Sequence, residues 1–384
     1  MTESQSATVQ RFVPVSSPVL GELERAAVDS VMRSGAISGF AGDRVAAFED
    51  GFARYCDSSF GVAVSNGTTA LHLALVTLGV TRDDEVLVAT LTNMATFFAV
   101  LYQGAIPVPI DVEPDTWNLD PSLLESKVTS RTKAIIVVHL FGHPVDMAPV
   151  MEIAGKYGLA VIEDCAEAHG ALYQGKKVGS LGTVGCFSFY ANKIITTGEG
   201  GMLTTSDPEL AAKARSLRSL AFGGTNKFMH TDIGYNYRLT NLQAAIGVAQ
   251  LTRIDDIVRG KRRVAAYYTS RFGTSKRLQL PVEKAYARNV YWMYHMGLRG
   301  MAPGARAHVM DRLRERGVET RESFIPYNLQ DTFLARGWTR AADCPVANDI
   351  GLRGFYIPSG PQLSDDDLDY VASNVIEVVE KSGE

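Results

Sequence analysis

A chain of 384 residues, 46% hydrophobic and 21% charged, can bury a large core, and it exceeds the ~250 to 300 residues at which single cores divide. The formal net charge of −4 and a pI near 6.0 offer no basic field for nucleic acid, and no apolar run approaches the ~18 residues of a membrane span. The polar start and four cysteines without metal-type spacing point to reduced thiols in a cytoplasm, not to export.

Residues 1–20, with Pro14 and Pro18, are expected to form an extended N-terminal arm. Leu23, Ala27, Val28 and Val31 then recur at helical spacing. The glycine-rich stretch Ser34 to Gly42 leads into a second amphipathic helix from Arg44 to Tyr55; such a loop either connects or touches a substrate. From Gly61 the pattern is a short buried strand, a turn at Asn66 and Gly67, and a helix with Thr68 and Thr69 in its first turn. Free N–H groups and hydroxyls at a helix start favour a phosphate, with a plain N-cap as the alternative. His72, inside that helix, is expected to be packed.

Beyond Glu85, apolar strands at Val86 to Ala89, Ile106 to Ile110, Ala134 to His139 and Leu159 to Ile162 alternate with helical segments. That alternation predicts a mostly parallel sheet covered on both faces, with ligands at the carboxyl ends of its strands. Glu163 and Asp164 follow the last of these runs. A carboxylate at a strand end can hold a protonated ring nitrogen, although it can equally cap the next turn.

The stretch from Ser188 to Gly201 sets Lys193 among aromatics, hydroxyls and glycines. A lysine in a partly dry pocket has a lowered pKa, so its neutral amine can attack carbonyls and form a Schiff base. The plain alternative is a loop lysine paired with Glu199. Asn236 and Arg238 precede a helix that is apolar at Leu242, Ala245, Ile246 and Ala249, and an arginine in such a loop suits carboxylate capture. The one basic run, Arg259 to Arg263, reads as a solvated helix face. Past about Asp255 the pattern changes to a long helix through Tyr268, strand-like runs from Tyr291 to Leu298, and helices at Ala305 to Arg316 and Asp365 to Glu380. Hence residues 21–255 are expected as a large domain and 256–384 as a smaller α+β domain. Serine-hydrolase, phosphate-loop and zinc-peptidase motifs do not occur, and the scattered histidines argue against a metal site.

Taken in order, SNGTTALHLAL, IEDCAEAHGA, SFYANKIITTGEGGML and GYNYRLTNLQAAIG resemble the sugar aminotransferases of the DegT/DnrJ/EryC1/StrS family. The CAEAHGA and NKIITTGEGG versions and Tyr291 to Tyr294 are most similar to those of GDP-perosamine synthases. The resemblance implies a PLP-dependent, aspartate-aminotransferase-like α/β fold (fold type I), a homodimer with shared sites, and amino transfer from L-glutamate to a nucleotide-linked keto sugar, GDP-4-keto-6-deoxymannose above a dTDP- or UDP-linked one. A non-catalytic PLP-binding sensor is the alternative of another class. A dehydratase of the same scaffold would carry histidine where this chain keeps Lys193.

The resemblance also implies roles for individual residues. Lys193 matches the Schiff-base lysine, Asp164 the acid on the pyridine nitrogen, and Glu167 a polar residue beside the ring hydroxyl. Gly67, Thr68 and Ser188 match the phosphate site. Asn236 reaches the neighbouring subunit's cofactor phosphate, and Arg238, also from the neighbour, meets substrate carboxylate. Asn93 stands where many relatives stack an aromatic on the cofactor ring, so either Phe97, another ring or the flat amide of Asn93 takes that place. The loop near Ala36 likewise lacks an aromatic common in relatives.

Overall fold

The computed structural model describes residues 11–226, 228–302 and 304–382, so the expected arm lies partly outside the described residues. Helices Glu22–Ser34 and Arg44–Tyr55 form where the apolar spacing places them. Gly35, at φ 71°, ends the first in the left-handed conformation that a residue without Cβ adopts at no steric cost.

A seven-stranded sheet follows, in the order Phe60–Val64, Gly201–Thr205, Val184–Ser188, Ala160–Asp164, Thr132–Val138, Glu85–Ala89 and Ile106–Ile110. Side chains alternate between two buried faces. Ala63, Leu87, Ile135, Val137 and Val161 enter one apolar cluster, and Val62, Val86, Ala134, Ile136 and Ile162 enter the other. Strands buried on both faces need near-continuous apolar runs, which is what these are.

The sheet is parallel except at Gly201–Thr205, which runs against both neighbours. The connection from Ser188 back to Gly201 contains no helix, so the chain turns at the carboxyl edge and returns antiparallel. This loop carries Lys193.

Beyond this sheet, strands Leu278–Gln279, Tyr294–Leu298, Gly354–Ile357 and Arg321–Glu322 form a four-stranded antiparallel sheet over its own core. Helix Ile254–Phe272 spans the two regions. Ile254, Ile257 and Val258 pack into the first cluster, while Val264, Ala265, Tyr268 and Phe272 pack into the core of the smaller sheet. Each of the buried isoleucine, valine and phenylalanine side chains contributes roughly 1.5–3 kcal/mol.

Glu163 and Asp164 end strand Ala160–Asp164, the place the sequence gives them. Two sequence expectations need correction. Tyr291, at φ 49°, interrupts the expected strand, which starts only at Tyr294. The basic run is not wholly solvated: Arg259, Arg262 and Arg263 pair with Asp256, Glu283 and Asp365, but Lys261 is 3% exposed.

Candidate active site

The carboxyl edge of the large sheet opens into a cavity of about 680 Å³. Its floor and one wall come from chain leaving successive strands: Ser65 to Thr69, Thr92 to Thr96, Val138, Asp164 to Glu167, and Ser188 to Lys193. Trp292, Phe324 and Tyr356, from beyond the long helix, close the other side.

One corner is built for an anion. Asn66 Oδ1 accepts from Thr69 N at 2.9 Å, and Thr69 Oγ1 accepts from Asn66 N at 3.1 Å, which caps helix Gly67–Thr77. Capping takes up the third amide of the helix, and the Gly67 and Thr68 amides, which no intrahelical bond uses, line the cavity. A Cβ on Gly67 would stand 2.8 Å from Ser188 Cβ, so only glycine lets these segments close up and brings the Ser188 hydroxyl beside the helix start. His72 is packed within the same helix, bonded to the Tyr237 hydroxyl at 3.0 Å and Gln103 at 3.2 Å.

Strand alternation separates the two adjacent acids. Glu163 points away from the cavity, where its oxygens accept from Gly179 N, Leu181 N and Gly182 N and face His139 Nε2 at 3.0 Å. Among the described residues, His139, Glu163 and Cys165 are the one set close enough to share a metal, but these bonds already occupy the carboxylate. His139 Nδ1 likewise accepts from Val145 N. Asp164 points into the cavity, where Thr96 Oγ1 and Ala166 N donate to its two oxygens at 2.9 and 3.1 Å. Burial raises its pKa, while those donors and the Lys193 amine act in the other direction.

Glu167 is held by the Phe141 amide at 2.8 Å, and burial lifts its carboxyl to about 7 against the opposing pull of Lys193. Burial also lowers the pKa of Lys193 itself, with Glu167 and Asp164 counteracting. Lys193 Nζ stands 4.1 Å over the Trp292 ring, so the amine faces an indole and two carboxylates instead of the ion pair with Glu199.

Seven of the residues singled out from the sequence thus meet in one cavity: Gly67, Thr68, Asn93, Asp164, Glu167, Ser188 and Lys193. Asn93 is there in a second capacity, because its Oδ1 caps helix Met94–Tyr102 by accepting from Ala95 N at 2.9 Å. Phe97 is excluded as the stacking ring. It is fully buried against Tyr327, with ring centroids 4.0 Å apart. Asn236 and Arg238 do not line the cavity of their own chain. Asn236 is exposed, and the Arg238 guanidinium lies 4.6 Å over Phe40, a ring that the glycine-rich loop does supply.

Sequence reasoning missed Thr96, Tyr190, Trp292, Phe324 and Tyr356 as cavity residues. Thr96 was legible in principle, one helical turn after the capping Asn93; the three rings from beyond the long helix reach the site only through tertiary packing.

Residues 18–376 match the DegT/DnrJ/EryC1/StrS aminotransferase family. The chain is 41% identical to GDP-perosamine synthase of Caulobacter vibrioides and 38% identical to that of Escherichia coli O157:H7, in each case over 96% of this chain and 98% of the other. Among solved structures, S. venezuelae DesV in complex with a ketimine intermediate superposes with a TM-score of 0.87 at 34% identity, over 93% of this chain and 94% of that one. The chain therefore belongs to the DegT/DnrJ/EryC1/StrS aminotransferase family, with the fold type I architecture of PLP-dependent enzymes.

Proposed function

We propose that this family member is a PLP-dependent aminotransferase that moves an amino group from L-glutamate to a nucleotide-linked keto sugar, converting GDP-4-keto-6-deoxymannose to GDP-perosamine. The observation that carries the reading is the half-buried Lys193 amine, its pKa lowered by the desolvation it meets, in one cavity with the Asp164 and Glu167 carboxylates and an anion corner. The two GDP-perosamine synthases that align over almost the whole chain support the choice of sugar.

The residues present fit PLP. Gly67, Thr68 and Ser188 would take its phosphate, where a single added Cβ would fill the cradle. Asp164 would meet the ring nitrogen, Glu167 the ring hydroxyl side, and Lys193 the aldehyde carbon. The cavity falls within the roughly 300–1,000 Å³ usual for ligand sites. When bound, PLP supplies an electron sink for the pair left behind as a proton leaves the amino donor's Cα.

The chain's own residues do the rest. Burial lowers the pKa of Lys193 and so eases release of its proton, which lets Nζ take a proton and return it. The donors on Asp164 keep its charge aimed into the cavity, a fixed electrostatic element that needs no reorganisation during reaction. Glu167, with a carboxyl near 7, can share a proton with a neighbouring hydroxyl at working pH. Trp292, Phe324 and Tyr356 wall off water on the far side. Asn236 and Arg238 would act from a second copy of the chain, since they do not line the cavity of their own.

The test is optical. The chain loaded with PLP should lose its visible absorption band on addition of L-glutamate and regain it with a GDP-linked 4-keto sugar. Recovery with only a dTDP- or UDP-linked keto sugar would reassign the acceptor. No response to glutamate would sink the transaminase reading.

A further inference from the structure

The indole above the Lys193 amine is fixed on several sides. Trp292 Nε1 donates to Asn192 O at 2.7 Å, the carbonyl immediately before Lys193. Its backbone N donates to Phe141 O at 3.0 Å, and Phe141 N in turn donates to Glu167. Gly142, at φ 99°, has no Cβ to strike the Trp292 backbone N, which a side chain there would approach to 2.9 Å. The Trp292 carbonyl accepts from Lys261 Nζ at 2.8 Å.

Lys261 is the unexpected part. It is 3% exposed in helix Ile254–Phe272, burial lowers its pKa to about 7, and no carboxylate pairs with it among the described residues. A buried ammonium without a counter-ion is costly, and an apolar side chain would fill the same space without that penalty. What the amine gains here is a hold on the backbone of Trp292.

We infer that Trp292 is a positioning residue for the Lys193 amine, its indole face being the station where the ammonium rests when not covalently engaged, and that Lys261 anchors the indole there. This rests on the proposed role of Lys193 as the covalent lysine. An aromatic face within ~6 Å favours the ammonium over the neutral amine, which opposes the effect of burial. The charged and titratable groups facing Lys193 are Asp164 and Glu167 beside the strand end, Glu199 and Tyr190 on its own loop, Tyr356 across the cavity, and His169, which burial holds neutral with a pKa of about 3. Trp292 carries no charge, and leucine in its place keeps that wall of the cavity apolar, so the substitution acts on this balance through loss of the ring face.

The full-length chain, freed of cofactor, would be labelled with limiting acetic anhydride across pH, and acylation of Lys193 read by peptide mass spectrometry. Trp292→Leu is expected to lower the Lys193 labelling midpoint by about one pH unit. Trp292→Phe, which keeps a ring, and Lys261→Met, which frees the anchor, should shift it in the same direction by less. An unchanged or raised midpoint in Trp292→Leu would overturn the inference; if that variant does not fold, unchanged midpoints in both others would do so. Because the labelling uses cofactor-free protein, failure of the PLP reading shows separately, in the optical test on the wild-type chain.

Discussion

Thr96 Oγ1 donates to Asp164 Oδ2 at 2.9 Å, tying the first turn of helix Met94–Tyr102 to the end of strand Ala160–Asp164. Burial alone would favour a neutral carboxyl at Asp164, so its charge depends on this bond, on the Ala166 amide and on the Lys193 amine. Asp164→Asn should keep measurable PLP binding and lower the rate of the glutamate half-reaction by roughly 10²- to 10³-fold. Thr96→Val, which removes only the donor, should lower it roughly ten-fold. Stopped-flow absorbance measures both, and an undiminished half-reaction in Asp164→Asn would count against its assigned role.

Glu167 gives a signature in stability. Its folded pKa, about 7, lies above the ordinary 4.5, so between these values the folded chain keeps a proton that the unfolded chain has released. Stability of the cofactor-free protein therefore falls as pH rises through that window. Glu167→Gln removes the titration and should flatten the fall by up to about 3 kcal/mol. Guanidinium unfolding at pH 5 and pH 7.5 provides the comparison, and equal falls in both proteins would assign the effect elsewhere. Lys193 acts with the opposite sign: its lowered pKa makes stability rise with pH between its folded value and 10.5.

Asn93 caps a helix in this fold, so Asn93→Ala should cost about 1 kcal/mol of stability in urea unfolding. PLP affinity should stay near that of the unaltered chain. A loss of PLP affinity at unchanged stability would instead make Asn93 a contact on the cofactor ring.

Asn236 and Arg238 do not line the cavity of their own chain, and in the proposed homodimer they would be supplied by the partner copy. Mixing Lys193→Ala chains with Arg238→Ala chains, each nearly inactive alone, should then restore roughly a quarter of normal activity: random pairing makes half the dimers hybrid, and each hybrid holds one intact site. Mixtures as inactive as their parents would place Arg238 outside the partner's site.

Much of this site was legible along the chain because its parts are local. A glycine at a helix start, an acid closing a buried strand, and a lysine in a glycine-flanked loop each announce themselves within a few residues. The resemblance of four such stretches ordered them into one family. Helix Arg44–Tyr55 and the strand at Ile106–Ile110 were equally readable, since apolar periodicity is a local property. Lys261 was misread for the complementary reason. Its neighbours Arg259, Arg262 and Arg263 do form ion pairs, and nothing in a run of basic residues tells which one turns inward.

By itself, then, the order of residues determined helices such as Arg44–Tyr55, strands such as Ile106–Ile110 and the chemistry available at several of their ends, because backbone propensity and apolar period act over a few positions. Tertiary structure alone decided that Glu163 serves the scaffold while Asp164 faces the cavity, that Phe97 is core, and that Trp292, 99 positions beyond Lys193 in sequence, lies over its amine. Those outcomes depend on how sheet, long helix and smaller sheet pack against one another, and packing joins residues that no local pattern connects.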